Sequence, residues 1–375
     1  MPTAITQPSL DTAVAALRKF EYQKPPLSRR NWGHPLHSLC SYPSKLKPGL
    51  AYCLVSAFTS PRDVVLDPFC GVGTVPFEAC LQGRIGIGSD ASPFAALVAS
   101  AKVAPSSGAD LGVALDELEA AIAAGREGVE LDDVEPEIRS FFHDETCREI
   151  VAAKQHLFSP DRLNTEPTRV VTSALCHILH GNRPYALSRR SHGIIPIPPK
   201  GDFVYKPLMR SLRAKIARLA VDDLPDDFFP GTATLSDAGD LDLDDASADV
   251  IITSPPFLGT TEFLRQNRVR LWFCGMEYEH QQAARSQFAE YQKDMTFYRA
   301  ILDEWARVLR PDGRLVMHLG VIRRRDMALE LRPHVEAAGF EVAEILYEPA
   351  GHLESHGRTA RGATHTHQFL VAKCP

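Results

Sequence analysis

Long apolar runs are missing from this chain. None of its 375 residues lies in an uninterrupted apolar stretch of roughly 18, the length that a membrane-spanning helix needs. The N-terminal region also lacks the apolar centre of a signal peptide, because Gln7, Pro8 and Asp11 interrupt it. We therefore expect a cytoplasmic protein without membrane contact. Internal repeats are absent too, which excludes a repeat architecture.

Paired cysteines are missing as well. The chain has 8 cysteines but no Cys-x-x-Cys pair, so neither a disulfide framework nor a zinc site is indicated. Cys70 lies in a glycine-containing loop and is interpreted as a small packing residue. Cys176 and His177, with His180, are interpreted as packing side chains of a helix, and no metal is expected.

Positive charge is in the minority. The chain has 41 Lys and Arg against 47 Asp and Glu, a formal net charge of −6. The charges are segregated, however: residues 105–146 hold twelve acids, whereas residues 181–218 hold nine Lys and Arg and one acid, Asp202. The basic stretch also contains three aromatic residues, a mixture that favours phosphate contact with base stacking. Its second half, 205–219, equally fits a solvated helix face.

A glycine loop follows the first strongly strand-like segment. Residues 63–67, Asp-Val-Val-Leu-Asp, have the β-branched apolar content of a buried parallel strand and end in a carboxylate. Gly71 and Gly73 then permit positive φ angles and close approach of the backbone to a ligand, and Thr74 begins a predicted helix. Residues 67–74 are therefore a candidate site for a nucleoside cofactor, although glycines after a strand also serve simply as tight turns.

A second carboxylate occupies the position of a ribose ligand. A strand-like run at residues 84–88 ends in Ser89 and Asp90. This is about 20 residues beyond the glycine loop, where nucleotide-binding folds place the acid that binds ribose hydroxyls. Asp90 is thus a candidate ribose ligand. Capping of the following helix is the alternative role, and the two roles are compatible.

A proline-containing loop follows another predicted strand. Residues 248–252 form a buried-strand candidate and lead directly into the sequence Thr253-Ser254-Pro255-Pro256-Phe257. The prolines fix φ and lack backbone donors, which leaves carbonyl oxygens to accept hydrogen bonds. An exocyclic amine is a poor nucleophile because its lone pair is delocalised. Acceptance of its hydrogens by the Ser254 hydroxyl and a proline carbonyl would favour tetrahedral geometry, and Phe257 offers a face for ring stacking. A stiffened loop with a packed phenylalanine is the alternative.

With both motifs in place, the chain resembles the S-adenosylmethionine-dependent amino-methyltransferases of DNA, of the restriction-modification type. In that family the cofactor motif is Asp/Glu-Pro-Phe-x-Gly-x-Gly after a strand, and the catalytic motif is Ser/Asn/Asp-Pro-Pro-Tyr/Phe. Both occur here nearly unaltered. The Thr-Ser-Pro-Pro-Phe form is the one most often seen in enzymes that make N4-methylcytosine, so the resemblance favours cytosine over adenine.

The resemblance implies S-adenosylmethionine as the cofactor. Residues 34–48 are similar to the family's segment over the methionine end of the cofactor, and residues 236–241 to the segment whose acid accepts from the adenine amino group. The implied cofactor-binding residues are Tyr42, Lys45, Asp67, Phe69, Gly71, Gly73, Thr74, Asp90, Asp237 and Thr253. The implied catalytic residues are Ser254, Pro255, Pro256 and Phe257. A solvated lysine is the alternative for Lys45, and an acidic surface loop for Asp237.

DNA is the implied partner, with a base flipped out of the helix for in-line methyl transfer. Candidate phosphate contacts in the basic stretch are Arg183, Arg189, Arg190 and Lys200. Arg265 and Arg268, which follow the catalytic motif, are further candidates, and a role in the fold is the alternative for this pair. A cognate restriction endonuclease is left open as a second partner.

The expected architecture is α/β: a doubly wound, Rossmann-like methyltransferase sheet with a terminal antiparallel strand and a mostly helical insertion. Residues 1–33 are predicted to form an N-terminal arm and residues 34–104 the cofactor-binding half. Residues 105–230 are the insertion and candidate DNA-recognition region, and residues 231–375 the catalytic half. A glycine-containing loop with His352, His356, His365 and His367 is interpreted as a lid.

Three other functions remain open at this point. N6-adenine methylation of DNA would keep the mechanism and change only the base. Methylation of an RNA base amine is a second alternative, since related RNA enzymes carry Asp-Pro-Phe-Cys-Gly-x-Gly-Thr and a Pro-Pro-Tyr/Phe motif. A non-catalytic nucleic-acid-binding subunit is the third, and the intact motifs at both ends of the site argue against it.

Overall fold

The computed structural model describes residues 8–162, 164–181, 183–190, 198–256, 262–288, 291–292, 294–322, 325–350, 354–355, 358–359 and 364–374. Phe257, assigned to base stacking, lies outside these residues, as do His352 and His356.

Ten strands occur in this described part of the chain: β1 (Val64–Asp67), β2 (Ile85–Asp90), β3 (Thr232–Leu235), β4 (Ala248–Thr253), β5 (Leu309–Ile322), β6 (Arg325–Asp326), β7 (Glu341–Pro349), β8 (Glu354–Ser355), β9 (Arg358–Thr359) and β10 (Thr364–Lys373). Eight of them form one sheet with the path β3-β2-β1-β4-β5-β10-β7, and β6 pairs with β5 beside this path. β8 and β9 form a separate two-stranded sheet.

The fold class predicted from the sequence is confirmed. The strands β3, β2, β1, β4 and β5 are parallel, and the last strand of the chain, β10, is antiparallel to both of its neighbours. The sheet is thus doubly wound and Rossmann-like, and it ends in chain order with an antiparallel strand. The strand order reverses between β1 and β4, and ligands of such sheets bind beyond the carboxyl ends of the strands at this point.

Helices cover both faces of the sheet. Within the described ranges they are α1 (Leu10–Lys19), α2 (Pro48–Phe58), α3 (Thr74–Leu81), α4 (Pro93–Val103), α5 (Gly108–Gly125), α6 (Pro136–Arg139), α7 (Asp144–Leu157), α8 (Glu166–Leu179), α9 (Leu208–Ile216), α10 (Phe263–Gln266), α11 (Arg268–Phe273), α12 (Tyr278–Ala283), α13 (Tyr298–Val308) and α14 (Met327–Ala337). Short 3₁₀ turns occur at Pro35–Ser38, Arg126–Gly128, Leu131–Asp133, Ala284–Gln287 and Met295–Phe297. None of the helices described combines the length and apolar composition that crossing a bilayer requires.

The predicted insertion shares its hydrophobic core with the cofactor-binding half. One continuous cluster contains Phe77 of α3 and Phe94 of α4 together with Leu118 of α5 and Leu175 of α8. All four side chains are fully buried. The boundary predicted at residue 105 therefore does not separate two cores, and the insertion is built onto the sheet through α4.

The acidic and basic stretches of the sequence lie side by side in the fold. Arg213 of α9 pairs with Asp116 at 2.7 Å and with Glu119 at 2.6 Å, both on α5. This part of the basic stretch neutralises acids of the same chain. The charge of Arg213 is therefore used within the fold.

Helix α3 lies unusually close to strand β2. A Cβ atom at Gly86 would stand 2.1 Å from the carbonyl oxygen of Pro76 and 2.9 Å from Sγ of Cys80. These distances are far below van der Waals contact, so only glycine permits this approach. Because α3 begins at the glycine loop, the spacing between α3 and β2 also sets the position of that loop.

This close approach predicts a large cost for Gly86→Ala. The added methyl group would push α3 away from β2, and we expect the free energy of unfolding to fall by about 1–3 kcal/mol or more. Gly112→Ala in α5 is the matched control, because nothing lies within 4 Å of the added Cβ there. It should raise stability by about 0.5–1 kcal/mol through helix propensity. Urea denaturation of both variants measures the difference, and equal effects would contradict the interpretation.

Candidate active site

The two sequence motifs meet at the carboxyl ends of adjacent strands. Asp67 ends β1 and Thr253 ends β4, and the two strands pair in parallel with Leu66 beside Ile251. The hydroxyl of Thr253 donates to Oδ1 of Asp67 at 2.7 Å, and both side chains are buried. Ser254 follows directly. The cofactor motif and the catalytic motif are therefore joined by a side-chain hydrogen bond.

The glycine loop is held by the two carboxylates predicted to bind cofactor. The amide of Phe69 donates to Asp67 at 3.2 Å, and the amide of Gly71 donates to Oδ2 of Asp90 at 2.9 Å. Gly71 and Gly73 have φ values of +51° and +69°, which L side chains rarely adopt. A Cβ at Gly73 would also lie 2.8 Å from Cα of Ala99 in α4. The loop thus needs glycine at both positions.

Burial raises the pKa values of both carboxyl groups. The pKa of Asp67 rises to about 7, against the effect of the hydrogen bonds from Thr253 and Phe69. The pKa of Asp90 rises to about 6, against the effect of the amides of Ser92 and Gly71. Ser92, and not Asp90, is the N-cap of α4. Asp90 therefore supports the cap and the glycine loop together, and each oxygen retains a lone pair that can accept from a ligand hydroxyl.

Tyr42, a candidate cofactor-binding residue, lies beside the glycine loop. A Cβ at Gly71 would stand 3.2 Å from the Tyr42 ring. The ring also stacks with Phe94 at a centroid distance of 6.0 Å and tilts against Phe263 at 5.6 Å. Lys45, for which a solvated lysine was the alternative to cofactor binding, is half-buried: its Nζ donates to the carbonyl of His37 at 2.7 Å, and burial lowers its pKa to about 8.

A buried pair ties the 34–48 segment to α3. Nε2 of His37 lies 2.7 Å from Oε1 of Glu78, and both side chains are buried. Burial lowers the pKa of His37 well below its usual value and raises the pKa of Glu78 to about 8. Burial thus favours the uncharged form of both partners in this hydrogen bond.

The strand ends around the glycine loop carry polar groups that suit a cofactor. Oγ1 of Thr74 is buried and has no hydrogen-bond partner among the described residues, which is costly unless a ligand supplies one. Asp237 lies at the next strand end: Ser236 bonds Ser89 through their hydroxyls at 2.7 Å, and Oδ1 of Asp237 accepts from the amide of Gly239 at 2.8 Å. The side chain of Asp237 is exposed. The residues present fit a nucleoside cofactor, and the buried hydroxyl of Thr74 is a candidate partner for it.

The catalytic loop is fixed from two sides. The hydroxyl of Tyr298 donates to the carbonyl of Pro256 at 2.5 Å. Oγ of Ser254 lies 3.2 Å from Nδ1 of His318 in β5. No described residue donates to the carbonyl of Pro255, which leaves this oxygen and the Ser254 hydroxyl as the polar groups of the loop that can face a substrate.

Three residues at this site were not assigned a role from the sequence. Lys102 of α4 is fully buried and donates to the carbonyl of Val72 at 2.5 Å. This hydrogen bond ties the glycine loop to α4. Tyr298 and Trp305 of α13 both pack edge-on against Phe69. A lysine is unusual in the apolar run 93–103 and could have indicated a structural role for Lys102. No local sequence pattern indicated the contacts of α13.

The histidines assigned to a lid loop are placed differently. His365 and His367 lie in β10, in the interior of the sheet path, and not in a loop. The lid interpretation is wrong for these two residues, because strand pairing with β5 and β7 includes position 367.

The candidate DNA contacts divide into two groups. Arg183, Arg190, Lys200 and Arg265 are exposed. Arg189 is half-buried, lies over the ring of Phe203 at 4.0 Å and donates to the carbonyl of Gly201 at 2.7 Å. Arg268 does not fit the expectation: it is buried and pairs with Glu135 and Glu137, so its charge is used within the fold.

Comparisons with known proteins agree with the geometry. Residues 37–132 match the model of the UPF0020 family, described as an RMKL-like methyltransferase domain. The matched range crosses residue 105 and includes α5, in keeping with the shared core. No curated protein matches the chain.

Several solved structures are similar to this chain at low sequence identity. An rRNA methyltransferase, aviRa, from Streptomyces viridochromogenes is 13% identical over 95% of this chain and 94% of its own, with a TM-score of 0.36. A TehB-like S-adenosylmethionine-dependent methyltransferase from Corynebacterium glutamicum is 12% identical over 87% of each chain, with a TM-score of 0.32. A protein assigned as a DNA modification methylase, from Thermus thermophilus and in complex with S-adenosylmethionine, is 20% identical over 37% of this chain and 54% of its own, with a TM-score of 0.23. At these TM-scores the similarities do not bear on substrate.

The chain is a methyltransferase that uses S-adenosylmethionine. The matched domain, the doubly wound sheet and the glycine loop between two carboxylates support this statement together. When bound, this cofactor supplies a methyl group on a positively charged sulfonium.

The raised pKa values predict pH-dependent cofactor binding. A cationic ligand stabilises ionised carboxylates, so binding should release protons from Asp67 and Asp90, and affinity should increase as pH rises through the range from about 6 to about 7. The slope is at most about tenfold per pH unit for each proton released. Asp67→Asn, which keeps the acceptor for Thr253, should flatten the upper part of this profile.

Isothermal titration calorimetry in two buffers of different ionisation enthalpy measures both affinity and proton release. Asp312→Asn is the control, because Asp312 pairs with Lys373 at the far end of β5 and should leave the profile unchanged. A flat profile in the unmodified protein would contradict the raised pKa values.

Proposed function

We propose that the protein is a DNA methyltransferase that transfers the methyl group of S-adenosylmethionine to the exocyclic N4 amine of cytosine. The observation that carries this proposal is the position of Ser254 and Pro255. They provide a hydroxyl and a carbonyl acceptor immediately beyond β4, next to the cofactor loop that Thr253 ties to β4. Two acceptors at such a point suit a planar amine with two hydrogens.

The role of the chain is to orient the amine. The Ser254 hydroxyl and the Pro255 carbonyl accept the two hydrogens, which draws the nitrogen lone pair out of conjugation and towards the methyl donor. The contact of Tyr298 with Pro256 keeps the loop rigid during this step. Alignment supplies most of the rate in this scheme, so a strong general base is not needed before attack.

The choice of base rests on the serine form of the motif. Thr-Ser-Pro-Pro-Phe at residues 253–257 is typical of N4-cytosine enzymes in the family that the chain resembles. The neutral hydroxyl of Ser254 accepts from an amine without adding negative charge beside the ring. Adenine N6 offers the same hydrogens, and it is the nearest alternative substrate atom.

An exposed surface of the insertion provides the nucleic-acid contact in this proposal. The side chains of Phe203 and Tyr205 are 53% and 42% exposed, an uncommon degree for aromatic rings. Arg189 stacks on Phe203, and Arg190 forms a backbone bridge with Lys200. Cations interleaved with exposed rings suit phosphate contact and base stacking.

The Ser254 hydroxyl predicts a selective loss of turnover. Ser254→Ala should lower the rate of methyl transfer by at least about 100-fold, because the amine loses one of its two acceptors. Cofactor affinity should stay within about twofold, since Thr253 and not Ser254 contacts the cofactor loop. Ser159→Ala, which removes a hydroxyl bonded to the carbonyl of His156 in α7, is the control. A parallel loss of cofactor affinity would argue against the assigned role.

The product identifies the substrate. The protein is incubated with S-adenosylmethionine labelled in its methyl group and with DNA or total RNA, and the digested nucleosides are identified by mass. N4-methylcytosine in DNA is the expected result. N6-methyladenine would change the base and keep the mechanism. Label confined to RNA would overturn the choice of DNA, and no label with cofactor still bound would overturn the enzymatic proposal.

The exposed cations predict salt-dependent binding. Arg190→Ala and Lys200→Ala should each weaken DNA binding at roughly 100 mM salt by about threefold to tenfold and reduce the slope of log affinity against log salt by about 1. Arg213→Ala removes the same charge from the same basic stretch, but Arg213 already pairs with Asp116 and Glu119. It should leave both quantities nearly unchanged. Equal effects in the three variants, measured by fluorescence anisotropy, would contradict the proposed surface.

A further inference from the structure

Behind the catalytic loop, three polar side chains form a line across three strands. Oγ of Ser254, beyond β4, lies 3.2 Å from Nδ1 of His318 in β5, and Nε2 of His318 lies 3.0 Å from Nδ1 of His367 in β10. His318 is buried, and the two imidazole rings have centroids 5.1 Å apart. Ser254 and His367, at the two ends of this line, are half-buried.

The two contacts of His318 determine which group donates and which accepts in each hydrogen bond of the line. Each ring nitrogen of His318 has one partner, so one nitrogen donates and the other accepts when the ring is neutral. Burial, together with the charge of protonated His367, lowers the pKa of His318 to about 3, which keeps the ring neutral at ordinary pH. When Ser254 donates to Nδ1, Nε2–H donates to His367. Both lone pairs of the Ser254 oxygen are then available to the amine of a substrate.

The outer end of the line is partly exposed and surrounded by polar groups. The ring of Tyr22 meets the ring of His367 edge-on at 6.3 Å, and the Tyr22 hydroxyl donates to Glu348 of β7. Burial and the charge of Lys47 lower the pKa of His367, whereas Glu348 opposes this shift. His367 is thus the member of the line with an acidic group nearby to stabilise a positive charge.

We propose that His318 is a positioning residue that orients the Ser254 hydroxyl and passes the proton released by the methylated amine to His367. This inference rests on the function proposed above, since it requires an amine as the methyl acceptor.

Atoms and charge are conserved in this transfer. The lone pair of the amine nitrogen forms a bond to the methyl carbon while the carbon–sulfur bond breaks and its electron pair stays on sulfur. The positive charge passes from sulfur to the nitrogen, which now carries the methyl group and two hydrogens. One of these protons moves to Oγ of Ser254, the hydroxyl proton of Ser254 moves to Nδ1 of His318, and the Nε2 proton of His318 moves to Nδ1 of His367. The product amine and His318 end neutral, and His367 holds the charge.

Two weakly basic imidazoles are adequate for this proton transfer. An aromatic amine that has been alkylated to a cation is a strong acid, because loss of a proton restores conjugation with the ring. Imidazoles with lowered pKa values therefore still accept its proton. A positioned proton acceptor typically contributes a factor of about 100 or more to the rate.

Two substitutions of His318 separate orientation from proton passage. His318→Asn keeps a side-chain amide near the position of Nδ1 and can still bond Ser254, but it cannot pass a proton. His318→Ala removes both functions and leaves a space that added imidazole can fill. Single-turnover methyl transfer, the affinity for S-adenosylmethionine and the thermal unfolding temperature are measured for each, with His156→Asn in α7 as a control outside the site.

His318→Asn should transfer methyl groups about 100-fold more slowly because proton passage is lost, and His318→Ala should be slower still because orientation is lost as well. Cofactor affinity should stay within about twofold of the unmodified protein in both variants. Imidazole should restore His318→Ala by about tenfold or more and should leave His156→Asn unchanged. His367→Asn should slow transfer in the same way.

Three results would overturn the inference. A rate for His318→Asn within about threefold of the unmodified protein would exclude proton passage. A fall in cofactor affinity that parallels the fall in rate would assign His318 a purely structural role. The absence of an imidazole effect would exclude the imidazole as the acting group. If the unmodified protein methylates no nucleic acid, the proposed function itself fails, and this outcome is distinct from an active protein that tolerates both substitutions.

Discussion

The hydrogen bond from Thr253 to Asp67 is the contact on which the site depends. It joins two strand ends that are 186 residues apart in the sequence, and it is buried on both sides. Asp67 also orders the glycine loop through the amide of Phe69, and Thr253 leads directly into Ser254 and its prolines. One buried carboxylate therefore sets the distance between the cofactor loop and the loop that would hold the target base. Its raised pKa is the electrostatic cost of that arrangement.

Much of this site could be predicted from the sequence, because its main residues lie at strand ends. A carboxylate after a β-branched run, glycines that tolerate positive φ and prolines after another apolar run are local signals. They placed Asp67, Gly71, Asp90 and Ser254 correctly at the carboxyl edge of one sheet. The parallel part of the sheet followed from the same strands, since parallel strands with helical crossovers have few alternative orders, whereas the terminal antiparallel strand was implied by the family resemblance.

The remaining features depend on pairings that local patterns do not encode. Arg268 and the exposed arginines look alike in the sequence, but only the fold brings Glu135 and Glu137 to Arg268. His367 reads as part of a polar, glycine-containing loop, yet it lies in β10, because pairing with β5 and β7 extends further towards the N-terminus of that strand than the apolar run does. Similarly, the composition of the insertion indicated a helical region, but its shared core with α3 and α4 required long-range packing.

The position of β10 has a consequence for how the chain folds. This strand is the last of the chain and is inserted between β5 and β7, with Phe369, Leu370 and Val371 fully buried. Until residues 364–373 are synthesised, β5 and β7 each present an open edge of unpaired backbone groups. Such edges are templates for pairing with other chains. A nascent chain of this protein is consequently more exposed to aggregation until residues 364–373 enter the sheet, and closure of the gap between β5 and β7 depends on the speed with which β10 pairs with them.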